Sequence, residues 1–258
     1  YTAILLSTKF DAQNVFREIL DIYKRLKDKS FWGDTYLPFV AIILYENKNK
    51  IDIDTCIDNM KYVYEFMKKN HPFLTSSDDY CRIALIAINS KDIDKDLDYI
   101  EKCYENLKSN GFYPSNNLQA LSHIMCFDKH RNDESIDKII RLKDLMAKEN
   151  CKMDSYGYPL IGAISLLDCE EDTLVNQIKK VSDSLKEVKG FGNWSLGKNN
   201  RNMISSAIVA SAYADYLKKE SNVDTISNNI FLDIIIAIEI ACMVATMAAV
   251  SASASASS

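Results

Sequence analysis

The sequence is poor in the residues that tight turns require. Its 258 residues include only 7 glycines and 4 prolines, too few for the many reverse turns of a sheet-rich fold. Histidine occurs three times, as His71, His123 and His130, and no HExxH or CxxC spacing accompanies it. A zinc site therefore has no pattern to rest on, and neither a metal nor a cofactor is expected. The GxSxG elbow and the dinucleotide-binding GxGxxG run are missing too. No basic stripe relieves the formal net charge of −5, which argues against a dedicated nucleic-acid binder.

The seven cysteines are an odd number scattered among apolar residues, so small buried hydrophobes in a reducing compartment are expected rather than a disulfide framework. The chain opens "YTAILLSTKF", without Met and without the pattern of a signal peptide, and a segment upstream of Tyr1 is expected. One long apolar run, Ile230 to Val250, has the length of a membrane span. It carries Asp233 and Glu239 and lacks a basic flank, which favours a helix docked on the protein over one in a bilayer. The closing "SASASASS" is low-complexity and expected to be disordered.

What the chain does have is internal similarity. Long amphipathic segments begin at Asp11, Asp52, Asp92, Asn132 and Glu170. In the third, Ile93, Leu97, Ile100, Tyr104 and Leu107 follow one helical stripe. Asp and Asn at the starts suit N-caps, and the lysines at the ends suit the helix dipole. Each long segment is followed by a turn and a short, nearly all-apolar segment, as in "LPFVAIILY" from Leu37 and "PLIGAISLLD" from Pro159. The markers Tyr36, Tyr80, Leu118 and Tyr158 are 44, 38 and 40 residues apart. The fold class is therefore all-α: stacked antiparallel helical hairpins of about 40 residues, as an α-solenoid or an α/α ring. Residues 1–220 form the repeat domain, 221–250 a docking helix and 251–258 a tail.

The stretch "GFGNWSLGKNN" (190–200) contains the Walker A spacing of Gly192 and Gly197-Lys198, with Asn199 where Ser or Thr belongs. A phosphate loop follows a strand, whereas this one follows a long amphipathic segment. It shares its slot with "KSFWGD", "NHPFLT", "NGFYPS" and "NCKMDS", so it reads as a repeat turn. In that slot Phe31, Phe73, Phe112 and Phe191 read as staples between hairpins, and Gly111 and Gly190 as helix-ending glycines.

The passages "NHPFLTSSDDY" (70–80), "NNLQALSHIM" (116–125) and "KGFGNWSLGKNNRNM" (189–203) resemble those of a bacterial family known as domain of unknown function 4003. The alanine-rich C-terminal stretch is similar too, and the resemblance covers essentially the whole chain. It implies a cytoplasmic protein of low-GC Gram-positive bacteria, and it brings no activity, cofactor or catalytic residue to carry over.

All five long-to-short turns should gather at one end of the hairpins, bringing together His71, Asp78, Asp79, Asn116, Asn117, Gln119, His123, Trp194, Lys198 and Arg201. Loop polar groups on a rigid scaffold are site candidates. Asp78 and Asp79 are candidate acids with His123 as partner, and the plain alternative makes them cap residues of the next helix. His130 falls in a polar turn at the other end and reads as solvated. "GNW" invites comparison with the GxW turns of terpene-cyclase-type rings, but the aspartate spacing does not match, and Trp194 reads as a packing residue. The leading expectation is a binding or scaffold protein that recognises a protein or small-molecule ligand with this face. An α/α-ring enzyme is the alternative, and a membrane-associated assembly is a weaker one.

Overall fold

A computed structural model of the chain describes residues 12–31, 36–128 and 130–220. Among them are ten α-helices, two single-turn 3-10 segments and no strand. Five long helices, α1 (Ala12–Asp28), α3 (Ile53–Asn70), α5 (Ile93–Ser109), α7 (Asp133–Lys148) and α9 (Glu171–Lys186), alternate with α2 (Leu37–Asn47), α4 (Tyr80–Asn89), α6 (Asn116–Met125), α8 (Tyr158–Ser165) and α10 (Lys198–Glu220). The chain divides into two compact units, with the boundary between Asp98 and Tyr99, inside α5. The apolar run and tail, residues 221–258, lie outside the described residues. No helix among the described residues is long and apolar enough to cross a membrane.

The alternation follows from composition. The odd-numbered helices bury one stripe each, as α7 does with Ile136, Ile139, Leu142 and Met146. The even-numbered ones are covered nearly all round: every residue of α8 is buried, and so is α6 from Leu118 to Met125. In the first unit α1 packs on α2, α3 on α4, and α2 on α4. In the second, α7 packs on α8, α9 on α10, and α8 lies between α6 and α10. The helices α6 and α8 come so close that a Cβ at Gly162 would sit 3.2 Å from Leu121 Cγ. Within each unit, ion pairs and hydrogen bonds link consecutive long helices: Arg25–Asp54, Lys29–Asp58 and Tyr62–Asp94 in the first, Arg141–Glu171 and Lys179–Glu149 in the second. Their partners stand 29 to 32 residues apart. Four are exposed and the Lys179–Glu149 pair is partly buried; surface pairs of this kind are worth about 0–1 kcal/mol, so they fix register more than they add stability.

Three long helices end in the same way. The left-handed residues Ser30 (φ 71°), Gly111 (φ 79°) and Asn150 (φ 62°) close α1, α5 and α7 by Schellman pairs. The N–H groups of Phe31, Phe112 and Cys151 donate to the carbonyls of Leu26, Leu107 and Met146 at 3.2, 3.1 and 2.7 Å. The residue after the turn is thereby driven inward: Phe31, Phe112 and Cys151 are all buried. Phe31 meets the Tyr80 ring edge-on at 5.1 Å, and Phe112 meets Tyr158 at 4.9 Å. Two of the four expected staples are therefore staples.

Phe73 is not; it is 96% exposed. The reason is Pro72, which occupies the position whose N–H must donate and has none to give. The turn closes instead through Lys68, whose ammonium donates to the Pro72 and Thr75 carbonyls at 2.8 and 2.9 Å. Phe191 is half-buried, and Gly190 (φ 93°) has the expected left-handed backbone.

Cys56, Cys103, Cys126 and Cys151 are free thiols in the core. Burial pushes the first two up to about 12. We expect both to resist alkylation at pH 8 until the chain is unfolded, because the thiolate is the nucleophile; mass spectrometry of the labelled native protein checks this. Gly111→Ala should lower stability by about 1 kcal/mol and Ser30→Gly should raise it by about 0.5 kcal/mol, since only glycine adopts the left-handed region without strain. Urea denaturation of the two variants measures both effects.

Candidate functional site

The turns from long to short helices carry most of the candidate residues. In the first unit, Ser76 and Asp79 form a capping box around the 3-10 turn Ser77–Asp79: the Ser76 N–H donates to Asp79 Oδ2 at 3.0 Å. The other Asp79 oxygen accepts from Arg82 Nη2 at 2.5 Å, in a pair where Asp79 is 1% exposed. Asp78 is partly exposed, 3.7 Å from the same nitrogen, and accepts from the Ser76 hydroxyl. Desolvation lowers the proton affinity of Arg82, and the Asp79 and Asp78 charges more than restore it. Asp79 thus differs from the simple cap expected of it: its side chain makes no capping bond to α4 and instead neutralises a buried guanidinium. Arg82 has no place in the sequence reading, where it looks like one polar residue in an apolar helix. His71 lies half-buried at the C-cap of α3.

In the second unit the candidates separate by depth. Asn116 is exposed and Asn117 half-buried in the first turn of α6, whereas Gln119 and His123 lie in the interior. Burial on all sides of α6 takes those two away from the turn surface. Trp194 corrects the reading in the opposite sense, because it is fully exposed and packs nothing. Tyr113 and Tyr156, in the two preceding turns, are 70% and 56% exposed.

These three turns are laced together. The Tyr113 N–H donates to the Tyr158 hydroxyl at 3.0 Å. Asn199 receives the Asp154 N–H and returns a bond to its carboxylate, both at 2.7 Å. Asn202 donates to the carbonyls of Asn150 and Lys152, and Lys198 donates to the Asn150 side chain at 3.3 Å. Arg201 is 4% exposed; its guanidinium donates to the Ser182 hydroxyl, the Phe191 carbonyl and the Asn193 side chain at 3.3, 3.0 and 2.9 Å. The Walker-like loop lies between α9 and α10, and the N–H groups of Ser195 and Gly197 both turn inward to the Gly192 carbonyl at 3.2 Å. Those donors close the loop on itself, which is the geometry of a turn between helices.

At the opposite end of the same unit, a cleft of about 300 Å³ is bounded by residues including Asp128, His130, Glu134, Lys138 and Asp168. His130 is exposed there. The Asp128 carboxylate accepts from the Arg131 N–H and the Ser135 hydroxyl, both at 2.6 Å, and so organises its own loop. Among the described residues no group of three or more His, Cys, Asp or Glu side chains is arranged to hold a metal.

A family model described as "Protein of unknown function (DUF4003)" matches residues 1–241. A protein of Bacillus subtilis (strain 168), described as uncharacterized protein YeaA, is 26% identical over 183 residues, covering 70% of this chain and 54% of that protein. The chain thus spans about half the length of the curated relative it matches. No solved structure matches.

Asp78 and Asp79 should separate cleanly on substitution. Asp79→Ala strands a buried guanidinium and is expected to cost about 3–5 kcal/mol. Asp78→Ala should cost about 1 kcal/mol or less, since its carboxylate is partly exposed and stands farther, 3.7 Å, from the guanidinium. Chemical denaturation of the two variants tests the difference, and equal losses would contradict the ion-pair account.

Proposed function

The chain belongs to the DUF4003 family of proteins of unknown function, and we propose that its second unit is a binding module that recognises a partner protein with its turn-bearing end. One observation carries this reading: three consecutive, mutually hydrogen-bonded turns each display an exposed aromatic ring, Tyr113, Tyr156 and Trp194. A large aromatic ring left in water adds little to the core, and tyrosine and tryptophan are the side chains on which interface energy concentrates. The polar lacing beneath holds the turns in place, so the rings are presented on an ordered frame. Lys198 and Asn116 lie in or beside these turns as secondary contacts. A reducing, cytoplasmic setting fits the free thiols of the core.

An acid/base enzyme using Asp78, Asp79 and His123 draws no support from Asp79, whose two oxygens are taken up by Arg82 and Ser76. Attachment to a membrane through residues 230–250 concerns a segment outside the described residues.

The reading is tested by placing a photo-crosslinking p-benzoylphenylalanine at position 156 or 194, with exposed Gln177 of α9 as the control site, in cells making the protein at native level. Adducts of a discrete mass are expected from the two turn positions and not from 177. Equal labelling at 177, or none at 156 and 194, would remove the turn end as the recognition surface.

A further inference from the structure

The charge around the last of these turns names the partner's chemistry. Residues 186–201 carry four cations, Lys186, Lys189, Lys198 and Arg201, against the single carboxylate of Glu187, within a chain whose formal net charge is −5. The start of α9, at the other end of the hairpin, carries Asp168, Glu170, Glu171 and Asp172, of which Glu171 pairs with Arg141. The three lysines are exposed, and among the described residues none of the four cations has a carboxylate within salt-bridge reach.

Arg201 makes this more than a surface tally. The other buried guanidinium, Arg82, has Asp79 at 2.5 Å. Arg201 is equally buried yet is held only by neutral oxygens, those of Ser182, Phe191 and Asn193. A cation taken out of water without a counter-ion is costly, and its field is least screened where water is excluded. That field sits under the turn that carries the fully exposed Trp194 and half-exposed Val188.

We propose that the partner segment bound at this turn is an acidic peptide with apolar side chains, its carboxylates facing Lys189, Lys198 and the field of Arg201 and its apolar groups lying on Trp194. The proposal rests on the turn-end reading above and adds the charge class to it. A long polyanion such as a nucleic acid is disfavoured, because neutralising many phosphates needs an extended basic track. Here the run of cations without carboxylate partners is confined to one turn, and the start of α9 is acidic.

The test uses the full chain with Trp32→Phe, which leaves Trp194 as its one tryptophan. Its fluorescence is followed on titration with a short synthetic peptide of Glu-Glu-Phe repeats and with the Lys-Lys-Phe counterpart. At low salt the acidic peptide should bind at least about tenfold more tightly than the basic one, a gap that narrows as salt screens the charges. The double variant Lys189→Glu, Lys198→Glu should abolish or reverse the preference while keeping the parent's thermal midpoint. Calorimetry on the unsubstituted chain, with Trp194→Ala as control, gives the same readout if Trp32→Phe fails to fold.

Equal binding of both peptides through Trp194 would overturn the acidic assignment and leave the turn-end reading standing. Acidic-peptide binding that survives the charge reversal would place the contact elsewhere. Tighter binding of an oligothymidylate than of the acidic peptide would replace a protein partner by a nucleic acid. Silence with both peptides rejects the charge class, and the crosslinking experiment then judges the turn end by itself.

Discussion

Three of the five long helices stop where the next residue is buried, and the donor that makes the stop possible is a single backbone N–H. At Phe31, Phe112 and Cys151 that N–H reaches back to a carbonyl in the last helical turn, and the side chain goes inward with it. The same bond therefore satisfies an orphan carbonyl and delivers an apolar group to the start of a neighbouring short helix. Tyr80 and Tyr158 wait at those starts, which is how a local chain reversal becomes a contact between hairpins. At Pro72 the donor is missing. The helix still ends, since Lys68 supplies ammonium protons to the turn carbonyls, but no ring is delivered and Phe73 faces water.

Much of the fold is legible in the sequence because helical period and apolar coverage are local properties. The stripe of α7 and the unbroken apolarity of α8 can be read without knowing what they touch. Caps are legible for the same reason: Asp52 and Asn132 accept from Thr55 and Ser135, three residues on. Phe73 departs from its expected role because the likeness of its slot to the others hides a missing donor. Pro72 carries that signal in the sequence itself.

The candidate site is less legible, because depth decides it and depth is not local. Asp79 and Arg82 are three residues apart, yet nothing in "DDYCR" tells a cap from a buried ion pair. Gln119 and His123 look like turn-face residues until α6 is covered on every side. Trp194 has the composition of a core residue and the surroundings of a surface one. The lacing of Asp154 with Asn199 joins residues 45 positions apart, and no short motif announces it. His130 reads as solvated, and it is exposed, at the edge of a cleft no motif foretells.

The bonds among Asp154, Asn199, Asn202 and Asn150 have a kinetic meaning besides their structural one. A loop that must be ordered on contact loses conformational entropy at that moment, and the loss weakens the complex. Here the ordering is complete before any encounter, since the amide and carbonyl partners are already matched within the unit. A partner of the kind proposed above would thus meet a preformed turn end, and association would need no loop rearrangement, so that differences in affinity would fall chiefly on how long the partner stays.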